Sequence, residues 1–255
     1  MDLLLQDVDP TIDPSDPRQR EIVISLFKEI LAAEKEARDW FAMSNDPAVV
    51  QHSDYFEKNR DYLVREEERH VQLFADALRQ LGATDTSVSP ESMRFWEASK
   101  SEEFRRGFPL TPAQMALIAT ISEGLGLVFI ANLERAMKDS PSKQVLKYIL
   151  EDEGSHLSVA EQIIQEELKD PSTNKKLLRT LDTYIRYSKA PLKAQKKTVE
   201  AAGFDFYAMG AKMFETNLDR LEELGMDLGF RWGTMRRFLD RVGLLKSFMI
   251  IYMTI

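Results

Sequence analysis

Two of the three histidines in this 255-residue chain sit in the same short pattern, and that pattern constrains the fold more than any other feature. The segment REEERH supplies Glu67-x-x-His70, and EDEGSH supplies Glu153-x-x-His156. A spacing of three puts a carboxylate and an imidazole one turn apart on one face of an α-helix. Both pairs interrupt an apolar stripe. One stripe reads Leu63, Glu67, His70, Phe74, Leu78; the other reads Leu146, Ile149, Glu153, His156, Ala160, Ile164. A carboxylate on a core-facing stripe is costly unless it is paired or bound to a cation. The chain must therefore fold so as to bring each pair a partner.

Each pair is preceded by a helix that carries one glutamate on its own apolar face. Residues 18–43 place Ile22, Leu26, Ile30, Ala37 and Phe41 at helical spacing. That stripe selects Glu34 over Glu36, which points about 200° away from it. Residues 112–138 open on Thr111-Pro112, an N-cap and first-turn pair. From Met115 to Leu133 this helix holds a single charged residue, Glu123. Glu34 precedes Glu67 by 33 residues, and Glu123 precedes Glu153 by 30. The chain thus reads as two copies of one unit, with acidic Glu66 and Asp152 at the same place in each. Folding the copies about a pseudo-twofold axis gathers four carboxylates and two imidazoles around one point. That is the donor set of a carboxylate-bridged dinuclear metal site in a four-helix bundle. Four carboxylates also neutralise two divalent cations, as a dry interior requires. Glu123 and one of the Glu-x-x-His glutamates are the expected bridges.

The remainder of the sequence is consistent with an all-α chain. Residues 53–81 and 142–168 complete the four long helices, the former closed by Gly82. A connection over 83–112, with Pro90, Pro109 and Pro112, has room for a short helix near 91–105. Further helices are expected at about 172–190, 193–222 and 231–243, with Gly203 and Gly210 as candidate breaks. The expected organisation is one domain over 1–255, with a metal-binding core at about 18–168 and accessory helices at about 172–255. Gly124 and Gly126, beside Glu123, signal either close helix packing or a cavity, because glycine weakens a helix by about 1 kcal/mol relative to alanine.

Composition excludes several alternatives. With no cysteine, disulfides, thiolate zinc sites, cysteine-ligated iron–sulfur clusters and cysteine nucleophiles are ruled out. A net charge of −8 argues against a nucleic-acid partner. The N-terminus is acidic, broken by prolines and free of a basic leader, so a cytoplasmic location is expected. No membrane span is expected. The final LLKSFMIIYMTI is read as a segment docked on the core or on a partner subunit, with membrane-surface or substrate-delivery contact as the alternative. Lys189, Lys193, Lys196 and Lys197 are read as a solvated helix face, and His52 as exposed.

The segments AEKEARDWF, EEERH, ISEGLGLVF and DEGSHLSVAE resemble the metal-binding helices of ferritin-like di-iron carboxylate proteins, over roughly residues 20–168. The nearest resemblance is to cyanobacterial aldehyde-deformylating oxygenases. It implies a ferritin-like four-helix bundle with additional C-terminal helices. It also implies that Glu34, Glu67, His70, Glu123, Glu153 and His156 hold two Fe ions, or a Mn/Fe pair, with O2 as co-substrate. Carboxylate and imidazole donors without thiolates favour such metals on chemical grounds. The implied activity is that of a non-haem di-iron oxygenase or oxidase acting on a small apolar or amphipathic substrate. Electrons would come from a ferredoxin and reductase or from the substrate, and a homodimer is compatible with the pattern. The chain departs from the family at Phe41, seven residues after Glu34, where an aromatic hydroxyl is common, and at Ile130 in the third helix. The same ligand pattern serves demethoxyubiquinone hydroxylases, acyl-carrier-protein desaturases, tRNA hydroxylases and amine N-oxygenases. Deformylation, hydroxylation, desaturation and N-oxygenation are therefore all open. The alternative functions are a ferroxidase or iron-handling protein and a metal-stabilised helical interaction protein.

Overall fold

A computed structural model describes residues 3–5, 10–88, 90 and 109–254. Among these residues the secondary structure is helical, with two isolated β-bridges and no sheet. Helix α1 (Pro17–Ala42) begins where the Asp16 carboxylate accepts from the backbone N–H groups of Arg18 and Gln19. Helix α2 (Asp54–Gln80) is capped by Ser53 and ends before Gly82, whose φ of 86° reverses the chain. Helix α3 (Pro112–Ala136) opens on a reciprocal capping box between Thr111 and Gln114. Helix α4 (Pro141–Glu167) is capped by Ser140. All four lie within two residues of the boundaries expected from the sequence.

Helix α1 packs on α2, and α3 on α4. Two bridges, Ile12 to Met137 and Val50 to Leu110, tie the start of α1 to the end of α3 and the end of α1 to the start of α3. The two helices are thereby held antiparallel. Helix α3 is also covered by α5 (Pro171–Ala201) and α6 (Phe206–Glu223). By length and composition alone α3 could cross a membrane, although Glu123 interrupts its apolar run. It is largely buried inside the molecule, so protein takes the place that lipid would have.

The accessory region differs from its expected outline. Helix α5 runs unbroken through Pro191, where a boundary between 190 and 193 was expected. A proline in a helix interior removes one N–H bond and crowds the preceding turn. Buried Leu177, Leu181 and Ile185 on one side and Val199 on the other hold both halves of α5 against the bundle. Gly203, with φ 90°, divides α5 from α6, while Gly210 lies inside α6. A π-helical turn (Gly229–Thr234) leads into α7 (Met235–Arg241) and then α8 (Leu245–Thr254). Helix α8 packs on α6 and buries Leu245, Met249 and Met253, as expected of a docked apolar tail. The short helix expected near 91–105 lies outside the described residues.

Candidate metal centre

The apolar stripes carry their charged members inward as the periodicity requires. Glu34, Glu67, His70, Glu153 and His156 are all buried. Glu123 is half-buried, and it lines a cavity described below. His70 Nδ1 lies 3.2 Å from Glu153 Oε1, 3.3 Å from Glu34 Oε2 and 4.0 Å from Glu67 Oε2. His156 Nδ1 lies 3.0 Å from Glu67 Oε1 and 3.3 Å from Glu153 Oε2. The two imidazole centroids are 5.4 Å apart. Potential donor atoms fall into three overlapping groups, each within 4.8 Å: Glu67, His70 and His156; Glu34, His70 and Glu153; Glu123, Glu153 and His156.

This geometry separates the glutamates into two kinds. Glu67 and Glu153 each approach both imidazoles. Glu34 groups with His70, and Glu123 with His156. The two glutamates that approach both imidazoles therefore come from the two Glu-x-x-His motifs. Glu36, the residue the stripe argument set aside, is not part of these groups.

Burial holds the Glu34, Glu67 and Glu123 carboxyls above the usual carboxylate range, and repulsion from Glu153 adds to the effect. Glu153 is pulled the other way. Burial opposes its ionisation, but contacts with His156 and His70 outweigh that and hold it below the usual range. Burial likewise disfavours the imidazolium forms, yet the surrounding carboxylates raise His70 to about 10 and His156 to about 9. Carboxylates and imidazoles here compete to neutralise one another, which is the role a pair of divalent cations would take over.

The donors fit such a pair. Both carboxylate oxygens of Glu67, Glu153 Oε2 and His156 Nδ1 are buried without a hydrogen-bond partner. Buried polar atoms are ordinarily satisfied. Orphans of two chemical kinds converging on one point, all oxygen or nitrogen, are what a hard or borderline divalent metal needs.

The surroundings break the pseudo-symmetry. Arg69 pairs with Glu66 at 2.9 Å and also with Asp152 of α4. Asp152 Oδ2 stands 3.5 Å from His70 Nε2. Glu66, its counterpart in the repeat, is held by Arg69. At His156 the neighbours are the rings of Phe41 and Tyr62, both edge-on with centroids at 6.4 Å. Phe41 thus supplies an apolar wall beside His156.

Beside the cluster, α1, α3 and α5 enclose a mainly apolar cavity of about 250 Å3. Glu34, Glu123 and Glu153 reach its wall. The two glycines of α3 have different causes. A Cβ on Gly124 would meet Asn217 Oδ1 at 2.1 Å, so this glycine admits α6. A Cβ on Gly126 would meet nothing within 4 Å, and Gly126 lines the cavity. Packing and cavity were alternatives in the sequence; each is realised at one glycine. Ser122 and Tyr184 put a hydroxyl pair in the cavity wall, 2.7 Å apart, and burial raises the Tyr184 phenol to about 12.

The comparisons with known proteins bear on the fold. The chain aligns with the solved structure of protein 19 with aldehyde deformylating oxidase activity from Synechococcus at a TM-score of 0.67 and 19% identity. The match covers 90% of this chain and 99% of the other. The fold is ferritin-like. No protein-family profile matches the sequence, and no curated protein matches it.

Tyr184 is the residue that sequence reasoning missed in this ferritin-like bundle. Leu177, Leu181, Tyr184 and Ser188 form a stripe with spacings of four, three and four. That stripe is readable as a helical face in the sequence alone. His52 is exposed, as expected, and pairs with Asp54 at 2.8 Å.

Proposed function

We propose that this chain is an O2-dependent non-haem di-iron oxygenase or oxidase acting on a small apolar or amphipathic substrate. In this reading Glu34, Glu67, His70, Glu123, Glu153 and His156 would hold two Fe ions, or one Mn and one Fe, with Glu67 and Glu153 the two glutamates near both imidazoles. The observation that carries it is the convergence of buried, unsatisfied oxygen and nitrogen donors against the wall of an apolar cavity. When bound, the metal pair supplies electrons to dioxygen and activates it toward a neighbouring substrate.

The protein's own side chains do the rest. Ile118, Leu127, Phe129 and Ile130 surround an alkyl chain and exclude water. The Ser122 and Tyr184 hydroxyls provide a polar contact that orients the substrate's functional group. The Synechococcus protein is described by an aldehyde-deformylating activity, so aldehydes are the first substrates to test. Alkyl chains for hydroxylation or desaturation and amines for N-oxygenation follow. Electrons come from a ferredoxin and reductase or from the substrate itself. A storage role is less well supported, because an apolar cavity gives hydrated iron no route.

The test is anaerobic Fe(II) loading, metal analysis, and then O2 consumption with and without each substrate class. The expected result is two metal ions per chain and O2 uptake stimulated by one class. Oxidation of many Fe(II) per chain without any substrate would instead identify a ferroxidase. Tightly held zinc with no O2 uptake after iron loading would identify a metal-stabilised scaffold.

A further inference from the structure

All but one of the exposed large hydrophobic side chains among the described residues fall in one stretch of the chain. Among the described residues they are Tyr62 and six residues between 230 and 251: Phe230, Phe238, Val242, Leu244, Ile250 and Ile251. Phe230 is 74% exposed, Phe238 61% and Ile251 58%. Soluble proteins rarely leave such a group uncovered without a use for it.

The same stretch reverses the charge of the molecule. Residues 229–255 carry Arg231, Arg236, Arg237, Arg241 and Lys246 against Asp240 alone, a local net charge of +4 in a chain of −8. Arg236 is buried between Asp219 and Glu222. The other four basic residues are exposed. Arg231, Arg237 and Lys246 each have a carboxylate partner, in Asp182, Glu222 and Asp205. Arg241 has no ion pair among the described residues. On helix α5, Arg186, Lys193 and Lys197 are exposed, and Lys189 lies 5.0 Å over the Tyr252 ring.

The inner side of α8 lines small cavities next to the large one. Met249 and Met253 line two smaller cavities of about 50 and 30 Å3, and both share Leu192 and Met213 with the large cavity beside the metal donors. Flexible methionine side chains are suited to a wall that gives way.

We propose that the face formed by residues 229–254 docks on an anionic phospholipid surface. Exposed aromatic and aliphatic side chains rimmed by Arg and Lys are what a helix needs to lie in the headgroup region of such a surface. A second copy of this chain is the weaker occupant, because a twofold contact would press the positive rim against itself. Docking does not depend on the metal chemistry. If that chemistry is as proposed, the face sets an apolar substrate one helix away from its chamber.

The experiment is co-sedimentation of the full chain with phosphatidylcholine vesicles and with vesicles containing phosphatidylglycerol, at low and high salt. Binding is expected to the anionic vesicles, to fall with salt, and to be at least about tenfold weaker to neutral ones. The triple variant Phe230→Ser, Phe238→Ser, Ile251→Ser alters only exposed side chains, so circular dichroism should be unchanged while vesicle binding falls at least about tenfold. Arg241→Glu should weaken binding to anionic vesicles alone. Hydrogen exchange should slow over 230–251 when anionic vesicles are added. No sedimentation with either vesicle, or binding indifferent to these substitutions, overturns the proposal. Concentration-dependent dimerisation abolished by the triple variant also overturns it, by giving the face to a second copy.

Discussion

The surroundings of His70 and of His156 share one donor set and differ in almost everything around it. Asp152 stands 3.5 Å from His70 Nε2, and Arg69 ties Asp152 to Glu66, so a charged network closes that side. His156 is flanked by the rings of Phe41 and Tyr62, and its lone glutamate, Glu123, is the more open of the two. A repeated sequence unit has produced equivalent donors in unequal environments.

The strongest way to break this comparison is to remove donors singly and count metals. Glu67→Ala or Glu153→Ala should abolish binding at both positions, because each glutamate approaches both imidazoles. Glu34→Ala and Glu123→Ala should each leave one metal per chain. Metal analysis on folded protein decides it, and equal losses in all four variants would dissolve the distinction between central and outer glutamates.

Next in size is Gly126→Leu, which fills the cavity while leaving every donor in place. Substrate-stimulated O2 uptake should fall on the order of 100-fold with metal content unchanged. A smaller effect is expected from Asp152→Asn. Weakening the charge beside His70 should lower metal affinity about tenfold at that position and leave the His156 position alone. Competition with a chelator reads the two affinities, and a uniform drop would show that the network serves both sides.

The smallest effects are on stability. Gly126→Ala should raise Tm slightly, since alanine favours the helix by about 1 kcal/mol and its methyl enters open space. Gly124→Ala should fail to show that gain, because Asn217 must leave its position against α3. Asn217 is anchored there by donating from Nδ2 to the Met213 carbonyl at 2.8 Å. If both substitutions stabilise equally, the separate causes assigned to the two glycines are wrong.

Several features were legible because a helix turns spacing into direction. The inward stripes of α2 and α4 match the expected series residue for residue, and the same rule chose Glu34 over Glu36. Capping chemistry at Thr111 placed the start of α3, since each orphan N–H must find an acceptor close in sequence. Less was readable after residue 170. Pro191 is a local signal for a break, but burial on both sides of it, supplied by distant helices, outweighs that signal.

What the sequence determined by itself is the inward direction of Glu34, Glu67, His70, Glu153 and His156 on their helices, because burying a charge is costly enough to demand a partner. Only the tertiary structure decided which glutamates approach both imidazoles, which glycine admits α6 and which borders the cavity, that Tyr184 joins Ser122, and that the C-terminal helices turn hydrophobic side chains outward. Each of these depends on the approach of helices far apart in the chain, and helical periodicity tells which way a side chain points without telling what it meets.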